Sequence, residues 1–181
     1  VSGWFKADGF PRTWQNIFFK GDGPDTTGDH SNREFALWLN SSGYLDFAST
    51  PQSRVGVGQL EVTTAAGLIK AGQWYHFDAV ISTSGNFMRL YVNGVLAGER
   101  TYDPSGIRDT TGPFRIGQAP GWDNSFQGSI DDVSVWNVAR PAEALRTDMY
   151  RRLTGSESGL NALWNFESVG PTVSDVTGHG N

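Results

Sequence analysis

Residues 126–137, Phe-Gln-Gly-Ser-Ile-Asp-Asp-Val-Ser-Val-Trp-Asn, set two adjacent carboxylates into an otherwise apolar, strand-like run. Strands disfavour aspartate, so Asp131 and Asp132 need a reason to be there. Either a bulge turns one of them to solvent, or the pair holds a metal ion, a proton or a basic partner. Neighbours along a regular strand point to opposite faces, so these two cannot flank one scissile bond as acid and nucleophile or base. His30, His76 and His179 lie in unrelated segments, and the chain has no cysteine. No nucleophile and base come into view together, and the expectation is a protein that is not an enzyme.

The aromatic residues offer a different chemistry. Trp4, Trp38, Trp74, Trp136 and Trp164 fall within strand patterns and read as core. Trp14 and Trp122 fall in loops beside Pro, Gly, Arg and Asp, where burial is less assured. An exposed indole flanked by carboxylate and amide groups suits a sugar: the C–H face stacks while the hydroxyls hydrogen-bond. Trp122 with Asp123, Asn124 and Tyr102 is the preferred glycan site, and Trp14 is a further ligand candidate. The alternative for Trp122 is a cap on the end of the core. A second cluster, Asp22, Asp25, Asp29 and Asn32, lacks EF-hand spacing and reads either as a solvated turn-rich loop or as a calcium site.

The elements that must position these groups are strands. Gly 23 and aromatic 13% describe many tight turns joining short strands with large side chains. "REFALWLNSSGYLDFAS" reads as a hairpin, and "NFMRLYVNGVLAGER" as another, turned by Asn93-Gly94, both of which tolerate a type I′ turn. "VSGWFKADG" reads as a strand running into a turn and "QNIFFKGDG" as a short apolar run ended by glycines; "GQWYHFDAVIS", "PFRIGQ" and "NALWNFES" are further strands. One helix is expected in "RPAEALRTDMYRRLTG", opened by Pro141, with Ala142, Leu145, Met149 and Leu153 on one stripe and Gly155 as its stop. The fold class that follows is all-β, an antiparallel two-sheet sandwich with one short helix.

Composition excludes some partners. Net charge is −5 and no basic run occurs, which argues against binding a nucleic acid backbone. No apolar run approaches the length of a membrane span. The absence of cysteine leans toward a bacterial origin without excluding export. The opening residues read directly as a strand, so residues 1–181 are expected to be one domain cut from a longer protein.

Taken in order, "GQWYHFDAVI", "MRLYVNGVLAG", "FRIGQ", "FQGSIDDVSVWNVARPAEAL" and "ALWNFES…VSDVTGHGN" resemble laminin-G-like, concanavalin A-like jelly-roll domains, with pentraxins as more distant relatives. The resemblance implies a two-sheet jelly roll, secreted or surface-exposed, often calcium-bearing, binding glycans or protein partners. It also implies that an Asp of "IDDV" meets the chain end, so calcium would be held by Asp132 or Asp131, Glu167 and Asp175, with carbonyls near Gly178 and the Asn181 amide completing the shell. Related jelly-roll glycosidases carry alternating acids on one strand, a motif missing here. The pentraxin double calcium site needs acidic or amide residues just after "IGQ"; Ala119, Pro120, Gly121 and Trp122 depart from it. The expected function is a non-catalytic extracellular carbohydrate-binding or adhesion module supported by calcium, the alternative being a protein–protein adhesion or spacer domain.

Overall fold

A computed structural model describes the chain except for Asp25, Thr27, Trp122, Val169 and Asn181. In chain order the strands are β1 (Ser2–Ala7), β2 (Trp14–Gly21), β3 (Arg33–Asn40), β4 (Leu45–Ser49), β5 (Leu60–Thr63), β6 (Trp74–Ser82), β7 (Phe87–Val92), β8 (Val95–Thr101), β9 (Phe114–Ile116), β10 (Gly128–Trp136) and β11 (Leu160–Trp164). Helix α1 (Ala142–Asp148) lies between the last two. The strands form two sheets, a six-stranded one ordered β11-β10-β1-β6-β7-β8 and a five-stranded one ordered β5-β4-β3-β2-β9. Every ladder within them is antiparallel. This is the expected jelly-roll sandwich. No helix among the described residues is long and apolar enough to cross a membrane.

The core lies between the sheets, where alternate residues of each strand turn inward. Phe5, Phe77, Met88, Leu90 and Val92 come from the six-stranded sheet and Ile17, Phe18, Leu37, Leu39, Leu45 and Phe47 from the other. The rings of Phe18 and Phe77 meet across the sandwich with centroids 5.7 Å apart. Burying each such side chain stabilises the fold by roughly 1.5–3 kcal/mol. Asn93 and Gly94 adopt positive φ, 50° and 73°, and the Asn93 side-chain carbonyl accepts the His76 N–H at 2.8 Å. The turn residue thereby ties the β7–β8 hairpin to β6.

Two expectations are corrected here. The helix ends at Asp148, well before Gly155, because the Thr154 and Gly155 N–H groups donate to the Glu157 carboxylate and close a separate turn. None of the five strand tryptophans is fully buried. Trp74 is 44% exposed beneath the Lys6 ammonium, Trp4 meets His76 edge-on, and Trp164 stacks on Phe114 at 5.4 Å. Alternation reveals which residues share a face, but not which face is turned inward.

Candidate functional site

The outer face of the five-stranded sheet carries a cavity of about 180 Å³. Two extra residues bring its lining together. Asn16 opposes Trp38 and Phe18 opposes Leu37, leaving Ile17 as a bulge; Lys20 opposes Phe35 and Gly21 opposes Arg33, leaving Glu34 as another. A bulge shifts the alternation by one and re-aims the side chains beyond it. Trp14 and Phe19, of opposite parity in β2, thus reach one cavity, as do Arg33 and Trp38 in β3. The first bulge is fastened by the Asn16 amide, which donates to the Phe18 and Leu37 carbonyls at 2.9 and 3.3 Å.

Asp46 of β4 stands opposite Trp38, and Glu61 of β5 lies diagonally beyond it, since Asp46 pairs with Thr63 and Ala48 with Glu61. The segment after β9 closes one side. There the Asn16 N–H donates to the Asn124 carbonyl at 2.8 Å, and the Asn124 side-chain oxygen accepts the Ala119 N–H at 3.0 Å. His30, Asn32, Gln59, Ala119 and Pro120 complete the lining.

The electrostatics are unusual for a sheet surface. Asp46 is only 6% exposed, and burial, reinforced by Glu61 and opposed by Arg33, pushes its carboxyl up to about 7. The Arg33 guanidinium lies 5.4 Å from the Trp38 ring centre. Five buried polar atoms of the lining have no partner within the protein: Asn32 Oδ1, Asp46 Oδ1, Gln59 Oε1, Trp38 Nε1 and Asn124 Nδ2. Buried polar atoms ordinarily find partners, and those that do not are places to look for a ligand or ordered water. Three acceptors and two donors beside partly exposed indoles can hold a polyol ring by stacking and hydrogen bonding together.

The sequence-derived site residues distribute unevenly. Trp14 and Asn124 line the cavity, Trp14 also meeting Tyr44 edge-on at 5.8 Å. Asp123 does not line it; its exposed carboxylate pairs with Arg12 at 3.0 Å. Tyr102 is not a ligand contact: it is 0% exposed, with its hydroxyl 2.8 Å from Ser49 Oγ in the core. Trp122 lies outside the described residues. Sequence reasoning missed Arg33, Trp38, Asp46, Gln59 and Glu61. The signal was present in the β3–β4 hairpin, whose Ser-Ser-Gly turn sets a register that opposes Trp38 with an aspartate where strands disfavour one.

The acidic pair of the opening segment belongs to the other sheet. Asp132 adopts φ 49°, and the β1–β10 register shifts between Ser2 and Trp4, with Ser2 opposing Ser134 and Trp4 opposing Asp131. The strand is bulged at the two acids, which resolves why they tolerate a strand. Asp132 reaches a crevice with Trp4, His76, Asp78 and Ser134. Partial desolvation raises its carboxyl, and Asp131 and Glu167 raise it further.

Among the described residues no group of three or more His, Cys, Asp or Glu side chains could hold a metal ion. The Asp175 carboxylate accepts the N–H groups of Leu163 and Thr177, each at 2.9 Å, and pins the chain end onto β11. Asp131 Oδ1 accepts the Asp132 N–H, and Asn181 lies outside the described residues. In the 22–32 loop, Asp22 pairs with Arg108 at 2.6 Å and Asp29 accepts from Ser31, while Asp25 lies outside the described residues. That loop supplies His30 and Asn32 to the cavity instead.

With this geometry in view, comparison with known proteins gives a consistent picture. A laminin G family model, described as the concanavalin A-like lectin/glucanases superfamily, matches residues 1–146. No protein of curated function matches by sequence. Among solved structures, a Bacteroides ovatus protein to which carbohydrate binding is ascribed superposes with TM-score 0.74 at 20% identity, over 98% of this chain and 49% of that one. A Limulus polyphemus SAP-like pentraxin gives 0.57 at 22% identity, over 81% of this chain and 66% of the other. The CBM40 domain of a Ruminococcus gnavus IT-sialidase, bound to α2,3-sialyllactose, gives 0.59 at 12% identity, over 81% and 79%. At these identities the likeness is one of fold. The chain spans about half the length of the Bacteroides ovatus protein.

Proposed function

Given that this chain belongs to the concanavalin A-like lectin/glucanases superfamily, we propose that it is a carbohydrate-binding module whose site is the cavity on its five-stranded sheet. One observation carries this reading. Trp14 and Trp38, both partly exposed, share a cavity of about 180 Å³ with five buried polar atoms that lack partners. A pyranose supplies what the cavity lacks: an apolar C–H face for an indole, and hydroxyls that both donate and accept. The carbohydrate-binding relatives support the assignment at the level of the fold.

In this reading the module binds and does not cleave, and it acts outside the cell or at a surface, where glycans are displayed. Calcium has no step in it, because the carboxylates that would hold the ion are not gathered among the described residues. The test is a glycan array followed by calorimetry on the native domain and on Trp38→Ala. Native binding that the substitution abolishes supports the proposal. Failure of the native domain to bind any glycan overturns it and favours the adhesion or spacer alternative. Release of reducing ends from a polysaccharide would overturn the non-catalytic part.

A further inference from the structure

The lining of the cavity also has a charge balance that bears on which sugar it accepts. Among the described residues it carries two carboxylates, Asp46 and Glu61, and one guanidinium, Arg33. We propose that the cavity selects uncharged pyranoses and turns away sugars bearing a carboxylate. This inference rests on the cavity being a carbohydrate site, and goes beyond it by naming the ligand class.

The guanidinium is not a free anion receptor. It lies over the Trp38 ring, and it is close enough to Asp46 to oppose the upward push of burial and Glu61 on that carboxyl. An incoming sugar carboxylate therefore meets a cation shared with Asp46, whose carboxyl becomes charged as pH rises through about 7, with Glu61 beside them. Glu61 is held in place by the Gln59 amide, which donates to it. At a separation of about 6 Å and an effective dielectric between those of surface and bulk water, each uncompensated carboxylate lowers the affinity of an anionic sugar about three- to tenfold.

The unpartnered atoms point the same way. Asn32 Oδ1, Asp46 Oδ1 and Gln59 Oε1 are acceptors, while Trp38 Nε1 and Asn124 Nδ2 are donors. A hydroxyl can donate to the acceptors and accept from the donors; a carboxylate can only accept, and offers the amide oxygens of Asn32 and Gln59 nothing. The sialyllactose-bound relative is 12% identical, too distant for its ligand to be carried to this lining.

The experiment measures, by calorimetry, the affinity of the native domain for the strongest-binding neutral glycan of an array and for the same glycan capped with sialic acid or a uronic acid. The neutral glycan is expected to bind at least about tenfold more tightly. Glu61→Gln, at an exposed rim position, is expected to narrow the ratio of the two affinities about three- to tenfold. Asp46→Asn, measured at about pH 8 where the native carboxyl is charged, provides a second neutralisation, with a thermal melt to verify that each variant is folded. Equal or tighter binding of the acidic glycan by the native domain overturns the selectivity while leaving the carbohydrate site standing. A ratio that neither folded variant moves also overturns it. Absence of binding to any glycan removes the site and this inference together.

Discussion

Trp38 and Asp46 stand directly opposite one another on adjacent strands, an indole and a buried carboxyl sharing one outward face. An apolar plate beside an unpartnered polar atom suits a ring bearing hydroxyls. Removing the plate tests its role. Trp38→Ala is expected to reduce glycan affinity roughly tenfold to a hundredfold, since the stacked area is lost along with the Nε1 donor. Trp14→Ala is expected to weaken binding as well. Calorimetry checks the affinities, and unchanged binding in both variants would move the site elsewhere.

The carboxyl has its own signature. Burial and Glu61 raise Asp46 from an ordinary 3.8 to about 7, so between those values the folded chain keeps a proton that the unfolded chain has released. The folded state binds more protons there, and stability falls as pH rises through that window. Asp46→Asn removes the contribution. Melting temperatures measured from about pH 4 to 8 are expected to decline less steeply for the variant than for the native domain. Parallel curves would contradict the burial of this acid.

Tyr102 separates core from site. Ser49 Oγ donates to the Glu34 carbonyl, so the Tyr102 hydroxyl must donate to Ser49, and burial pushes that hydroxyl up to about 12. Tyr102→Phe is expected to cost about 1 kcal/mol of stability, the worth of one neutral hydrogen bond. Glycan affinity is expected to stay unchanged. A lost affinity without lost stability would return Tyr102 to the list of ligand contacts.

Asp132 addresses calcium. Its carboxyl is raised by partial desolvation, Asp131 and Glu167, so its charge opposes folding at neutral pH and ceases to do so once acid protonates it. Asp132→Asn keeps a side chain that tolerates positive φ and is expected to raise the melting temperature near neutral pH, with the gain fading in acid. Chelator is expected to leave the native melting temperature where it is. A calcium-dependent rise in the native domain that disappears in Asp132→Asn would establish the ion that the resemblance implied.

Several features were legible from the residues because they depend on local chemistry. Asn93-Gly94 turned the hairpin as read, since positive φ belongs to those two side chains. Met88, Leu90 and Val92 lie on the core face together, as period-two alternation requires. The bulge at Asp131 and Asp132 was one of the alternatives open from sequence, because two adjacent acids fit poorly into a regular ladder. The cavity was not legible. Its residues come from β2, β3, β4, β5 and three connections, and two bulged positions, Ile17 and Glu34, change which parity faces it.

The sequence by itself therefore determined the strand periodicity, the turns and the jelly-roll class, all of which follow from residue type and near-neighbour spacing. Only the tertiary structure decided that Trp38 lies outside the core, that Tyr102 lies within it, and that Asp46, Glu61 and Arg33 meet. Which face of a sheet is buried depends on the second sheet packed against it, and that is set by contacts far apart along the chain.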